Sequence, residues 1–386
     1  MSIEASSAAG GPNAVRIGMI GGGPGAFIGG VHRIALAMDG RCVLVAGALS
    51  SDPEKSRQGG QELGLDPARV YGSWQEMLQQ EAALPAEQRI EAVSIVTPNH
   101  MHHAPAKAAL EAGFHVICDK PLTITSALAE ELEQAVKESG KVFALTHNYT
   151  GYPMIREARE LVRSGGIGKV QKVFVEYLQG WLVDPIEDDG QKQASWRTDP
   201  ARSGPGGALG DIGTHAFQLA EHVSGERVSR LLGRRQSFVP TRAVDDDTMV
   251  MLEFGNGASG SLAASQVCTG QENALSLRIF GTAGGIEWKQ EHPNELRIFH
   301  KDGAMEWRRP GNAYVGATAA AMTRLPAGHP EGYLEGFANL YRNFADAVRG
   351  QQLPEAPFPT VADGVRGVRF IEKVVASAEQ ESWLAF

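Results

Sequence analysis

The stretch Val15 to His32, VRIGMIGGGPGAFIGGVH, decides the fold. It opens on Val15, Ile17, Met19 and Ile20, an apolar run that reads as a buried strand. It turns through consecutive glycines and resumes as an apolar helical pattern from Phe27 to Met38. Gly21, Gly23 and Ala26 fit G-x-G-x-x-G/A. In that reading Gly21 makes the tight turn and Gly23 lets backbone approach a pyrophosphate. Ala26 lets helix and strand pack closely, and the helix N-terminus faces the phosphate charge. Glycine runs also occur in plain loops. The strand before and the helix after are what point to a dinucleotide.

Outward from there the pattern alternates. Cys42–Leu49 reads as a second strand, and Asp52-Pro53 as a helix start with Asp52 as N-cap. A short strand is expected at Arg69–Tyr71, then the helical SWQEMLQQ. Ala92–Val96 is a strand ending in Thr97-Pro98-Asn99-His100, followed by a helix over Ala104–Ala112. Phe114–Cys118 ends in Asp119-Lys120-Pro121, a helix runs over Leu122–Ser139, and Val142–Thr146 closes the series. Such alternation implies a parallel, doubly wound sheet, with ligands at the C-terminal strand ends.

Near Tyr149 the pattern changes. A helix (Pro153–Arg163) and a strand (Val170–Leu178) precede a long loop, Gln179–Gly206, which carries Trp181 and Trp196. A loop of that length in a compact domain is usually functional. A helix over Ala208–Val223 leads into a run of strands from Val228 to Phe299. The returns Gly255-Asn256-Gly257 and Thr282–Gly284 make this sheet largely antiparallel. Two helical stretches, Tyr333–Arg349 and Val361–Glu381, end the chain. The expected division is a disordered lead-in over 1–14, a first domain over 15–148 and a second over 149–386, whose terminal helices could pack back on the first.

Composition narrows the function. The chain has 386 residues, 42% hydrophobic and 21% charged, as expected of a globular protein. A net charge of -9 without a basic block argues against nucleic acid. Cys42, Cys118 and Cys268 form no C-x-x-C pair, so a reducing, cytoplasmic setting is the simpler reading. No stretch is long and apolar enough to span a membrane.

Three groups could carry chemistry. Lys120, at a strand end, could hydrogen-bond a substrate hydroxyl and hold charge on an alkoxide; the alternative is an ordinary surface lysine. Asp211 and His215 stand at i and i+4, so an imidazole oriented by a carboxylate is possible, as is a surface ion pair. Gly206-Gly207 lies just upstream, where a ligand could approach. His100, His102 and His103 cluster beside Asn99, but without flanking acidic ligands; capping and cofactor contacts fit better than a metal, and none is expected. Trp181 and Trp196 could stack on a sugar ring or anchor an interface.

Together these pieces resemble the glucose–fructose oxidoreductase / inositol dehydrogenase / rhizopine-catabolism (Gfo/Idh/MocA) family of NAD(P)-dependent oxidoreductases. The marks are the glycine loop, Thr97-Pro98-Asn99 with His102, Cys118-Asp119-Lys120-Pro121, and Gly210-Asp211-Ile212-Gly213-Thr214-His215. The family's usual Glu-Lys-Pro is here Asp-Lys-Pro, and the glycine loop is longer than the family norm. The resemblance implies an α/β chain, with an N-terminal Rossmann domain and an α+β C-terminal domain built on a large, mostly antiparallel open sheet. It implies Lys120, Asp211 and His215 as the catalytic set. Cofactor contacts are expected from Gly21, Gly23, Pro24, Gly25, Ala26 and Phe27, from Ser50 and Ser51, from Thr97, Pro98, Asn99 and His102, and from Asp119, Lys120 and Asn148. Substrate contacts are expected from Lys120, Tyr149, Trp181, Trp196, Arg197, Asp211 and His215. The implied reaction moves hydride between a nicotinamide and a secondary alcohol of a pyranose, glycoside or cyclic polyol, in a homodimer or homotetramer. Two alternatives stand beside it: glycoside cleavage through transient oxidation, and a catalytically silent cofactor-binding regulator. The second strand ends in Leu49-Ser50-Ser51 with no carboxylate but the capping Asp52. Both NAD and NADP are therefore expected to be accepted, with a slight lean to NADP.

Overall fold

The computed structural model describes residues 10–11 and 13–386. They divide into two units. The first comprises residues up to Thr123, Ala127–Asn148 and Tyr333–Gly364; the second comprises Ile124–Ser126, Tyr149–Gly332 and Val365–Phe386. The stretch Tyr333–Gly364 thus folds with the first unit. Of the lead-in expected over 1–14, residues 1–9 and 12 lie outside the described residues. Its end is tied down: the Gly11 N–H donates to the Gly40 carbonyl at 3.1 Å. Arg349 donates to the carbonyls of Asn13 and Ala14, each at 3.0 Å.

The first unit is a five-stranded parallel sheet in the order β2-β1-β3-β4-β5. The strands are β1 (Val15–Gly21), β2 (Cys42–Ala48), β3 (Ala92–Val96), β4 (His115–Cys118) and β5 (Phe143–Leu145). Its helices are α1 (Phe27–Met38), α2 (Pro53–Glu62), α3 (Trp74–Ala83), α4 (His103–Glu111) and α5 (Ser126–Ser139), whose first residue falls in the second unit. The strands are mostly apolar because a parallel sheet is covered on both faces. Val15, Ile17 and Met19 of β1 are fully buried. The helix Tyr333–Val348 closes this core with Phe337, Leu340, Tyr341 and Phe344.

Two expectations fail here. Arg69–Tyr71 is no strand: Asp66 caps a 3₁₀ turn over Pro67–Arg69, leaving one isolated bridge from Val70 to Gly47. The helix expected from Leu122 begins only at Ser126.

The second unit is a nine-stranded sheet, mostly antiparallel, in the order β13-β12-β11-β10-β6-β9-β8-β7-β14. The strands are β6 (Val170–Leu178), β7 (Val228–Gln236), β8 (Asp247–Phe254), β9 (Ser259–Ser265), β10 (Ala274–Gly281), β11 (Gly284–Lys289), β12 (Leu296–His300), β13 (Met305–Arg308) and β14 (Leu384–Ala385). Only β6 and β9 pair in parallel, which sets the ends of two distant strands side by side. The helices before β8 are α6 (Pro153–Arg163), α7 (Lys192–Arg197), α8 (Pro200–Ser203) and α9 (Thr214–Ser224). One sheet face is solvent-facing. In β8, Met249 and Met251 are about half exposed while Val250 and Leu252 are buried, the period of two of a half-covered strand.

Candidate active site

The glycine loop is built by contacts only glycine permits. At Gly21 (φ +81°) a Cβ would lie 2.8 Å from Thr97 Cγ2 and 3.0 Å from the Val96 carbonyl oxygen. Gly22 (φ +70°) and Gly29 meet at their backbones; a Cβ on Gly29 would overlap Gly22 Cα at 2.3 Å. The close strand–helix approach therefore falls to Gly22 and Gly29. Ala26, expected in that role, is instead the N-cap of α1. Gly23 is occupied by its own chain: its N–H donates to the Leu49 carbonyl at 3.0 Å, and a Cβ would strike that oxygen. The open position is Gly25, at φ +76° with nothing within 4 Å of a Cβ. Arg33 donates to the Gly22 carbonyl and fixes the loop from the helix side.

The helix start suits an anion. No side chain caps α1, and its first turn holds no acidic residue. The start of α2 is the opposite case: Asp52 accepts from the N–H groups of Glu54 at 2.9 Å and Lys55 at 3.3 Å, as the sequence implies. Ser50 Oγ accepts from the Asp52 N–H at 3.1 Å, and Ser51 is exposed. Pro24 packs on Gly59 of α2, and Phe27 is exposed, its ring 6.5 Å from that of Tyr333.

The strand ends β3 and β4 are joined by one imidazole. His102 is fully buried, with Nδ1 2.8 Å from the Pro121 carbonyl and Nε2 2.9 Å from the Thr97 carbonyl. Burial lowers its pKa, and the Asp119 charge opposes this. The imidazole ties the two strand ends through two backbone carbonyls. Thr97 Oγ1 donates to the Met101 carbonyl, and Asn99 is buried in the 3₁₀ turn after Pro98. The Asp119 carboxylate accepts from the Lys120 N–H at 2.9 Å and from Thr146 Oγ1 at 2.8 Å, so it shapes the turn that presents Lys120. His147 is buried beside them, and burial, followed by the Lys120 charge, pushes its pKa down to about 3. Asn148 is 1% exposed, and its Nδ2 has no partner among the described residues. A buried amide donor left unsatisfied is costly, and an incoming carbonyl would satisfy it. The uncapped helix start, the open Gly25 and this orphaned amide fit a dinucleotide.

In the second unit Asp211 does not lie on a regular α-helix. It belongs to a π-helical turn, Leu209–Gly213, that precedes α9. Such turns are frequent at functional sites. Asp245 builds it, accepting from the N–H groups of Gly207 at 3.0 Å and Leu209 at 2.8 Å. The space beside Gly207, where a ligand was expected, is filled by the Asp245 backbone, 2.1 Å from a Cβ there. His215 is 7% exposed, with the Tyr149 ring edge-on at 5.0 Å and the Tyr177 ring at 6.1 Å.

A continuous polar network runs from Asp211 to the tyrosines. Asp211 Oδ2 accepts from Arg197 Nε at 3.1 Å and from Gln266 Nε2 at 3.0 Å. Gln266 also donates to Gln179 Oε1 at 3.3 Å, which accepts from Trp181 Nε1 at 3.0 Å. Gln179 and Tyr177 donate to Asn273 Oδ1 at 2.8 and 2.7 Å. Asn273 Nδ2 donates to the Tyr149 hydroxyl at 3.3 Å, itself 2.5 Å from the Tyr177 hydroxyl. Burial first, and the Asp211 charge among lesser causes, push the Tyr149 pKa up to about 12, so it remains a neutral donor. Trp196 lies on the same network, its Nε1 3.4 Å from Gln193 Oε1.

Gln193, Gln266 and Asn273 stand out in no sequence pattern; Tyr177 and Gln179 lie in the segment Tyr177–Asp184, which is similar to that of sugar dehydrogenases, but were not among the expected site residues. Gln266 follows β9 and Gln179 follows β6, and only the parallel pairing of those strands brings them together. Lone amides carry no periodicity that would flag them.

Residues 15–147 match the oxidoreductase family with an NAD-binding Rossmann fold, and residues 155–287 match the GFO/IDH/MocA C-terminal domain. The chain belongs to the Gfo/Idh/MocA family. It is an NAD-binding oxidoreductase. An inositol dehydrogenase homologue from Azotobacter vinelandii, solved with NAD+, superposes at a TM-score of 0.91 with 37% identity, over 97% of each chain. An uncharacterised oxidoreductase of Bacillus subtilis is 36% identical over 96% of this chain and 97% of its own. Levoglucosan dehydrogenase of Pseudarthrobacter phenanthrenivorans is 28% identical over the same shares. No described helix of this Gfo/Idh/MocA chain is long and apolar enough to cross a membrane.

Proposed function

We propose that this protein oxidises a secondary alcohol of a ring sugar, glycoside or cyclic polyol. The observation that carries the reading is the network around Asp211 and His215. Amides, tyrosines and tryptophans dominate it, the groups that exchange hydrogen bonds with hydroxyls and stack on sugar rings. The inositol and levoglucosan relatives support the same substrate class.

The nicotinamide cofactor, when bound, supplies the hydride acceptor. Gly25, the start of α1 and Asn148 would hold it. Lys120 donates a hydrogen bond to the reacting hydroxyl oxygen and holds the negative charge that grows there. His215 takes the hydroxyl proton, and Asp211 orients the imidazole and favours its charged form. Tyr149, edge-on to His215, limits its rotation. Positioning of this kind can supply about 7–11 kcal/mol of a barrier, and a placed acid/base a further ~10²–10⁴-fold.

Both cofactors should be accepted. Asp52 spends its carboxylate on the start of α2, so no carboxylate is dedicated to the ribose 2′-hydroxyl. Ser50 and Ser51 can bond either a hydroxyl or a phosphate. Comparing kcat/KM for NAD and NADP in wild type and in Ser50→Asp tests this: the substitution should shift preference toward NAD. A wild type that rejects NADP by orders of magnitude would return Asp52 to the ribose.

The substrate class is tested by turnover over a panel of ring polyols, aldoses and glycosides with product analysis. A ketone product with one equivalent of NADH is expected. A free leaving group with no net NADH would point to cleavage instead.

A further inference from the structure

We infer that Arg197 is a positioning residue for Asp211, not a substrate ligand. This rests on the acid–base reading of Asp211 and His215. Arg197 ends α7, a short helix inside the long loop, and three observations hold its guanidinium in place. Nε donates to Asp211 Oδ2 at 3.1 Å. Nη1 donates to Gln193 Oε1 at 2.6 Å and to the Gln193 carbonyl at 3.2 Å. The guanidinium carbon, Cζ, lies over the Trp196 ring, 4.2 Å from its centroid. Gln193 in turn accepts from Trp196 Nε1 at 3.4 Å, so one helical turn orients both halves of the stack.

The chemistry follows from the shared acceptor. Arg197 and Gln266 converge on the same oxygen, Oδ2, from the loop and from the end of β9. Two donors on one oxygen fix the rotation of the carboxylate. The other oxygen, Oδ1, is thereby aimed without any bond to these two donors. A guanidinium donor also favours the charged form of a carboxylate. A carboxylate that orients a histidine needs both properties. Nε and Nη1 of the guanidinium are thus committed to Asp211 and Gln193, which ties the cation to the carboxylate it orients.

The test is a double-mutant cycle on the full-length protein with the best substrate from the panel. Arg197→Ala should lower kcat by roughly 10- to 100-fold, within the range of a disturbed acid/base, and leave KM within about threefold. Combined with Asp211→Asn it should lose no more than Asp211→Asn alone. Guanidinium ion added to the assay should restore part of the turnover of Arg197→Ala and none of that of Asp211→Asn. Arg197→Lys should stay impaired, because an ammonium cannot reproduce the stack and the Nε bond together. If Arg197→Ala does not fold, Gln193→Ala, which keeps the charge and removes its tether, should show a smaller loss in kcat alone. A rise in KM with kcat unchanged, or additivity in the cycle, would overturn the inference and make Arg197 a substrate ligand. Normal turnover by Asp211→Asn would instead overturn the acid–base reading on which it rests.

Discussion

At the scale of single residues, Lys120 and His215 should separate chemistry from binding. Lys120→Ala should remove turnover while NADH binding, measured by fluorescence, and the melting temperature stay near wild type. Its backbone is held by Asp119, which the substitution leaves alone. His215→Ala should cost roughly 10²–10⁴-fold in kcat. Near-normal kcat in either variant would remove that residue from the mechanism. A second kind of residue governs stability. His32 is fully buried, with Nδ1 2.8 Å from the Tyr341 hydroxyl, and burial pushes its pKa down to about 4. The unfolded chain binds a proton there below about pH 6.5 while the native state does so only near 4, so stability falls as pH drops across that window. The loss from this one group reaches about 3 kcal/mol. Urea midpoints between pH 7 and 4.5 should therefore fall less steeply in His32→Gln than in wild type; parallel curves would show that His32 is not the titrating group. Reading such roles from sequence has a clear limit. Lys120, Asp211 and His215 stand in recognisable strings, whereas His32 looks like any residue of an apolar helix. Its burial depends on Tyr341, which lies 309 positions away.

At the scale of elements, the long loop after β6 owes its order to Arg242. That side chain is buried, pairs with Glu187 at 2.7 Å and Asp246 at 3.4 Å, and donates to the carbonyls of Leu182 and Asp184. The same guanidinium lowers the pKa of Glu187 against the effect of burial. Arg242→Ala leaves Glu187 without its cation, although Asp246 keeps the N–H groups of Phe238 and Val239, and should cost about 3–5 kcal/mol, the usual penalty for breaking a buried pair. Limited proteolysis should then cut within residues 179–206 before any other site. An uncut loop at wild-type stability would contradict the clamp. The sequence showed that this loop was long and carried tryptophans, but not what fastened it, because an arginine beyond β7 has no local pattern linking it to the loop. The glycine run was legible for a different reason: strand, turn and helix are contiguous, so its geometry is local. Even there the division of labour shifted. Gly22 and Gly29 make the close approach that G-x-G-x-x-A assigns to Ala26, placing the tight contact in the first turn of α1.

For the molecule as a whole, the solvent-facing side of the second sheet presents Met249, Met251, Met305 and Trp307. A homodimer or homotetramer built through it is our proposal, and light scattering of Met249→Glu/Met251→Glu should show a smaller particle than wild type. An unchanged mass would place the contact elsewhere. The alternation of strand and helix made the parallel first sheet legible in the sequence, and hairpin glycines did the same for the antiparallel second. The parallel β6–β9 pairing, which gathers Gln179 and Gln266 beside Asp211, was not legible, because 80 and more residues separate the partners. The most direct test of oxidation by this chain is a single-turnover measurement with NAD and the best ring polyol of the panel, followed by NADH absorbance in wild type, Lys120→Ala and His215→Ala. Wild type should form one NADH per site with a ketone product, and both variants should bind NADH normally yet form it at least about 10²-fold more slowly. NADH formed equally fast by all three, or none formed by wild type with any member of the panel, would contradict it.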